Sequence, residues 1–302
     1  MPTTESTQPR LIVVGVEGYA PGLAAAQWAA TEAALRHARL HVVHSYAKDA
    51  RPPATTPQCD AQRIVTAAVN AARAQAPHLT ITAQTCTTPA AEVLVELSSQ
   101  AHLVVLGHRG HGPGSPLPDL GSPIVSQVAA HARGPLAVVR PAAAAPSGAG
   151  PIVVGVDGST AADTALGFAF AEAALRHLPL QVVRAWPAPP DGADRAEIDA
   201  VDRRLCESVQ PWRDAFPHLP VQVGAAPGRP LTALAQASRA ASLLVVGARG
   251  GGDTGARIGS VAKQLIHLAT CPVAVVRPVP RPDQPTSRLP AAYESAPAAA
   301  RR

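Results

Sequence analysis

Two glycine-rich stretches carry the residue types that could do chemistry. One is Gly107-His108-Arg109-Gly110, followed after a loop by Gly121-Ser122-Pro123; the other is Gly247-Ala248-Arg249-Gly250, followed by Gly259-Ser260. Glycines let a loop press backbone N–H groups against an anion. Ser122 or Ser260 is placed to cap the helix that follows, and that helix turns the positive end of its dipole toward the same space. Arg109 and Arg249 can add charge, so the chemistry indicated is anion binding, with a triphosphate as a fitting guest. Pro123 is favoured in a first helical turn for backbone reasons alone. No GxxxxGK[ST] occurs, which excludes a Walker-type loop. Gly250 to Gly255 satisfies GxGxxG, but it follows a fourth strand and does not open directly into a helix, so glycine abundance accounts for the match.

The elements that must position these stretches come in two copies. Residues 31–43 read TEAALRHARLHVV and residues 171–183 read AEAALRHLPLQVV, an offset of about 140 positions that holds from Val14-Gly15-Val16 against Val154-Gly155-Val156. A period of that length is domain-sized, far above solenoid repeats. In each copy short β-branched runs alternate with alanine-rich stretches of helical period, which predicts a parallel sheet covered by helices on both faces. In the first copy strands are expected at 11–16, 40–45, 79–85, 103–107 and 136–140, with helices near 20–38, 59–76, 89–101 and 122–133; in the second, strands at 152–156, 180–185, 221–225, 243–247 and 273–277. The fold class is α/β: two tandem open five-stranded parallel sheets of order 3-2-1-4-5, Rossmann-like, whose ligand site lies at the carboxyl ends of strands one and four. Strand one ends in Gly15-Val16-Glu17-Gly18 in the first copy and Gly155-Val156-Asp157-Gly158-Ser159 in the second. The expected organisation is an extension over 1–10, domains over 11–141 and 151–278, a linker over 142–150 and a disordered tail over 279–302. Residues 51–57 and 187–194 read as mobile loops.

Composition removes several function classes. The formal charge of +5 is scattered arginine, and three Phe, three Tyr and three Trp give little stacking surface, against nucleic-acid binding. No export signal and no run of 18 apolar residues is present, so a cytoplasmic protein without membrane contact is expected. Cys59, Cys86, Cys206 and Cys271 form no CxxC pair and read as small buried hydrophobes. His102, His108, His111 and His131 lack acidic companions at metal-ligand spacing and are expected to face solvent or sit in loops; no metal site is expected. His37 and His177 end the first helix of each copy, where a protonated imidazole favours the dipole's negative end. Glu32 and Glu172 read as ordinary helix residues.

The endings VGVDGS, the EAALRH helix, the GxxG after strand four with GS opening the last helix, and CPVAVVRP resemble the universal stress protein family in its tandem two-domain form, over residues 11–141 and 151–278. Family members divide into those that bind ATP and those that do not. The ATP-binding members carry G-x2-G-x9-G-[ST], an acidic residue closing strand one, and a small apolar residue near the end of strand two against the adenine. Carried over position by position, the resemblance implies Asp157, Ala185, Val246, Gly247, Gly250, Gly259 and Ser260 in the second copy, and Glu17, Ser45, Leu106, Gly107, Gly110, Gly121 and Ser122 in the first. Both copies depart from the family spacing, with ten residues (His111 to Leu120) and eight (Gly251 to Ile258) between the second and third glycines. The first arc contains Pro113, Pro116 and Pro118, which remove amide donors, and Asp119, a negative charge near the phosphates. The second keeps Asp157 and a glycine-laden arc beside Arg249 and Arg257.

The resemblance therefore implies a stress-response protein that binds ATP, with Mg2+ as its companion cation, better in the second domain than in the first, and signals through a nucleotide-dependent surface change. The alternative is a non-nucleotide scaffold or interaction module with degenerate loops. No Ser/His/Asp or paired-carboxylate arrangement marks catalysis, so at most slow ATP hydrolysis is expected. The domains are expected to form an intramolecular pseudo-dimer through their last strands, and the tandem chain to form a homodimer if it self-associates.

Overall fold

A computed structural model describes residues 10–47, 56–108, 123–141, 150–186, 195–250 and 258–278. Two compact units result, Met1–Ala143 and Ala144–Arg302. Unit 1 contains β1 (Leu11–Gly15), α1 (Ala20–Leu35), β2 (Arg39–Ser45), α2 (Pro57–Gln75), β3 (Ile81–Cys86), α3 (Ala90–Leu97), β4 (Leu103–Gly107), α4 (Pro123–His131) and β5 (Leu136–Val139). Unit 2 contains β6 (Ile152–Gly155), α5 (Thr160–Arg176), β7 (Leu180–Trp186), α6 (Arg195–Ala215), β8 (Val221–Pro227), α7 (Pro230–Ala237), β9 (Leu243–Gly247), α8 (Ser260–Leu268) and β10 (Val273–Val276). Strand order is β3-β2-β1-β4-β5 in the first and β8-β7-β6-β9-β10 in the second, all neighbours parallel. The order 3-2-1-4-5 expected from the strand pattern is thus present in each unit.

Side-chain alternation along the strands explains why helices lie on both faces. In unit 1, Ile12, Val14, Leu40, Val42, Leu103 and Val105 are buried in one cluster with the alanines of α1 and with Val65, Ala68 and Ala72 of α2. The intervening residues face the other way, since a Cβ placed on Gly15 would lie 2.6 Å from Leu106 Cδ2 and 3.0 Å from Leu94 Cδ1 of α3. Val13 and Val104 on that second face are equally inaccessible. Each fully buried Val, Leu or Ile contributes about 1.5–3 kcal/mol, so burial on both faces makes the strands the stable part of each unit.

Where the element ends differ from expectation, the cause is local. α1 closes three residues earlier than expected because His37 (φ 51°) turns left-handed, and α5 ends at Arg176 where His177 (φ 53°) does the same. The N–H groups of Ala38 and His37 then reach Ala33 O (2.8 Å) and Ala34 O (3.2 Å), which satisfies the last carbonyls. The two histidines therefore do end their helices, but through backbone conformation; both side chains are exposed, and the expected imidazole-dipole contact is not what closes the helix. α3 stops at Leu97 where bonds tighten, Ser99 N–H to Glu96 O and Gln100 N–H to Leu97 O. β8 runs two residues longer than expected because its pairing with β7 continues to Trp186 opposite Pro227. Pro57, expected in a loop, opens α2, with Thr56 Oγ1 accepting the Cys59 N–H at 3.3 Å.

Gly150, expected at the end of the linker, is packed into unit 2. A Cβ there would lie 1.9 Å from Ala240 O, and the Ser242 hydroxyl donates to Gly150 O at 2.7 Å. The remaining linker residues, the expected tail and residues 1–9 lie outside the described residues, as do the expected loops 51–55 and 187–194. No helix among the described residues is long and apolar enough to cross a membrane.

Candidate functional site

In unit 2 the first wall of the site is the turn that leaves β6. Gly158 adopts φ 82°, a left-handed value open to glycine. That turn lets Asp157 Oδ1 accept the Ser159 N–H at 3.0 Å, and Ser159 Oγ in turn accepts the Ala162 N–H at 3.2 Å, capping α5. The carboxylate is held in this way while remaining exposed, and its other oxygen faces the end of β9: a Cβ on Gly250 would lie 2.7 Å from Asp157 Oδ2.

The opposite wall is the start of α8. Gly259 occupies the N-cap, its N–H donating to Ala248 O at 2.8 Å and its carbonyl accepting the Lys263 N–H at 3.0 Å. Ser260 is the first helical residue and caps nothing, which corrects the expectation of a serine cap there. Among the described residues no side chain caps α8, so the amides of its first turn are directed into the cleft beside Gly250, the arrangement that suits an anion.

Between the walls lies a cavity of about 310 Å³. All eight residues expected in this copy line it: Asp157, Ala185, Val246, Gly247, Arg249, Gly250, Gly259 and Ser260. Pro230 and Leu234 of α7, with Val183 of β7, close the apolar end. Gly247 is required by packing as well, because a Cβ there would come within 3.0 Å of the Ala161 backbone in α5. Two ionisable groups lie near the charged lining residues Asp157 and Arg249. On the α5 side, burial and then the neighbouring Asp157 raise the Asp163 carboxyl above its usual range. On the β9–β10 side, burial and then Arg249 lower the Arg277 guanidinium.

Unit 1 differs at matching positions. Glu17 is exposed after β1, and its carbonyl accepts the Tyr19 N–H at 2.7 Å; Tyr19 is the N-cap of α1 and makes no side-chain cap. Ser45 donates its hydroxyl to Thr88 O at 2.5 Å. Leu106 is buried, and Gly107 is pressed on α1, where a Cβ would lie 2.3 Å from Pro21 O. Arg109, Gly110, Gly121 and Ser122 lie outside the described residues, as does the segment 251–257 of unit 2.

Several residues depart from their sequence reading. His108 lies in irregular backbone just past β4, as the loop alternative allowed, but it is buried instead of facing solvent, and its backbone N–H donates to Val139 O at 2.8 Å. His131 bonds through Nδ1 to Gln127 O of its own helix. Of the four cysteines only Cys271 is buried; Cys59 and Cys206 are exposed and Cys86 half-buried, all free thiols. Burial pushes the Cys271 thiol up to about 12. Glu32 and Glu172 are not ordinary helix residues, for they are buried and ion-paired one turn on with Arg36 and Arg176. The signal was available in the repeated EAALR spacing, since i,i+4 Glu–Arg in both copies is the pairing geometry of one helix face. Also missed were Ser98 and Ser238, buried after α3 and α7, whose hydroxyls accept the N–H of Arg133 (2.9 Å) and Thr270 (3.2 Å) and so fix the chain between the last helix and last strand of each unit. Among the described residues no group of three or more His, Cys, Asp and Glu side chains could hold a metal ion.

The profile of the Universal stress protein family matches residues 9–140 and 149–277. Universal stress protein Rv2005c of Mycobacterium tuberculosis is 33% identical over 287 residues, covering 88% of this chain and 96% of its own. Universal stress protein Rv2623 of the same organism is 30% identical over 290 residues, with coverage of 88% and 96%. A universal stress protein structure from Archaeoglobus fulgidus superposes with a TM-score of 0.68 at 15% identity, covering 89% of this chain and 99% of that one, a likeness of fold. With the doubled sheet of order 3-2-1-4-5 and a family match across both units, the chain belongs to the universal stress protein family.

Proposed function

We propose that this chain is a stress-response protein whose second unit binds ATP, with Mg2+ as counter-ion, and whose first unit binds it more weakly or not at all. The observation that carries this reading is the convergence of Asp157, Ala185, Val246, Gly247, Arg249, Gly250, Gly259 and Ser260 on one cavity at the start of a helix that no described side chain caps. The phosphates lie against Gly250, Gly259 and Ser260, where backbone amides and the α8 dipole favour negative charge. The base occupies the apolar end formed by Val183, Ala185 and Leu234, and Asp157 accepts hydrogen bonds from the nucleoside.

In unit 1 the scaffold reading gains ground. Ser45, at the position of Ala185, already spends its hydroxyl on Thr88 O, and α1 begins at Tyr19 without the serine cap that holds the Asp157 turn in unit 2. The role assigned is binding and signalling, in which occupancy of the cleft changes the surface at the carboxyl edge of unit 2 that a partner protein reads. Calorimetric titration of the full chain with ATP and Mg2+ tests it, together with Gly250→Ala and Gly259→Ala. Gly250→Ala drives a methyl into the Asp157 carboxylate and is expected to weaken binding at least tenfold. Gly259→Ala meets nothing closer than Arg249 Cα at 3.4 Å and is expected to cost less. Absence of binding to the parent at millimolar nucleotide would remove the reading.

A further inference from the structure

Arg277 was no part of the candidate site read from the sequence and does not itself line the unit 2 cavity, yet the register brings it to the sheet edge beside that cavity. Val276 of β10 pairs with Gly247 of β9, and Ala248 N–H donates to Val276 O at 2.7 Å, so Arg277 leaves the sheet beside Ala248 and next to Arg249 on the carboxyl edge. Arg249 lines the cavity. Arg277 is half-buried, and Arg249 is near enough for its charge to add to burial in lowering the Arg277 guanidinium. Two like charges brought together at a partly desolvated edge repel, and an anion of high charge lying between them relieves that repulsion more than one of low charge.

The two copies carry the same placement. Arg140 follows β5 as Arg277 follows β10, and burial likewise lowers its guanidinium. The sequence also repeats Arg109 at the place of Arg249. Tyr19 stands against Ser159, Ser45 against Ala185 and His108 against Ala248, while the arginine after strand four and the arginine after strand five are kept in both copies.

We infer that Arg249 and Arg277 together read phosphate number, making the unit 2 cleft a site for nucleoside polyphosphates in preference to monophosphates and cyclic monophosphates, with Arg277 a specificity-determining residue. This rests on the nucleotide reading above. The α8 amides reach the phosphates nearest the helix start, and the arginine pair supplies charge for those beyond it.

Calorimetry of the full chain with ATP, AMP and cyclic AMP tests the inference at fixed salt. The parent is expected to bind ATP at least tenfold more tightly than AMP. Arg277→Gln is expected to weaken ATP three- to tenfold while leaving AMP within twofold, and Arg277→Lys to keep part of the preference. Equal affinity of the parent for ATP and AMP overturns the inference alone, as does an Arg277→Gln variant that weakens both nucleotides in parallel or neither. Should Arg277→Gln fail to fold, Arg249→Gln carries the same expectation of a narrowed ATP-to-AMP ratio, with an unchanged ratio counting against it. No binding of any of the three overturns the nucleotide reading and this inference with it, whereas AMP binding without an ATP preference leaves the former standing.

Discussion

Unit 1 and unit 2 have the same strand order, yet they fill the space between their first two helices differently. In unit 1 small residues dominate there: Ala30 and Ala72 are fully buried in one cluster with the other α1 alanines and with Val65 and Ala68 of α2. In unit 2 the equivalent residues are Phe170 and Trp212, stacked at 5.9 Å, with Phe216 at 5.6 Å from Phe170. Gly167 makes room, since a Cβ there would lie 2.3 Å from Trp212 Cη2. The entrance to the first helix differs as well: Ser159 caps α5 and fixes the Asp157 turn, whereas Tyr19 leaves α1 without a side-chain cap and is 60% exposed. The same fold is thus held by two different cores, and the unit with the capped turn is the one whose expected cleft residues are all described and line one cavity.

The comparison can be broken at the aromatic wedge first. Phe170→Ala or Trp212→Ala is expected to destabilise unit 2 by about 3–5 kcal/mol, while Ala30→Phe overpacks unit 1 and costs about 1–3 kcal/mol; denaturant titration of each variant measures both. Gly167→Ala, a change that stabilises most helices, is expected to destabilise this one. Next come the buried pairs. Glu32→Gln leaves Arg36 buried beside a neutral partner and is expected to cost about 3–5 kcal/mol. Glu172→Gln is expected to cost less, because Arg176 is 12% exposed against 1% for Arg36. An equal loss would erase that distinction between the units.

Alkaline pH separates the units through Cys271, which unit 1 replaces with Gly134. The folded thiol is raised to about 12, and an unfolded thiol titrates near ~8.5. The folded state therefore keeps a proton that the unfolded state releases, so the contribution is complete below about pH 8.5 and is lost as pH rises toward 12. Between pH 8.5 and 10 the parent is expected to lose roughly 1–2 kcal/mol relative to Cys271→Ala, read from denaturation midpoints. In the folded protein Cys59 and Cys206 are expected to alkylate at pH 8 while Cys271 does not. The smallest effect is the cap: Ser159→Ala is expected to cost about 1 kcal/mol, and Tyr19→Ser to stabilise unit 1 by a similar amount or less.

Much of this architecture was legible in the residues because strands buried on both faces read as unbroken apolar runs; Leu103–Gly107 and Leu243–Gly247 have the bounds that their sequence predicts. Helix ends were harder. His37 and His177 take left-handed backbone at places where glycine is the usual signal, so the helix appeared longer than it is. Glu32 and Glu172 read as ordinary helix residues, and Ser98 and Ser238 gave no signal, because sequence shows polarity and not the depth at which a group is bonded. The positions implied for unit 2 line one cavity, because each sits at a strand end or helix start that the apolar runs and glycines already marked. Arg277 was missed because its place depends on the β9–β10 register, a tertiary fact with no local motif.

The central claim is that the second unit holds the nucleotide and the first holds it less well. Photolabelling the full chain with 8-azido-ATP and mapping the modified peptides tests this most directly. The account predicts label on peptides from β7, β9 or the start of α8, suppressed by excess ATP, with little on unit 1. Equal labelling of both units, or label that ATP does not displace, would contradict it.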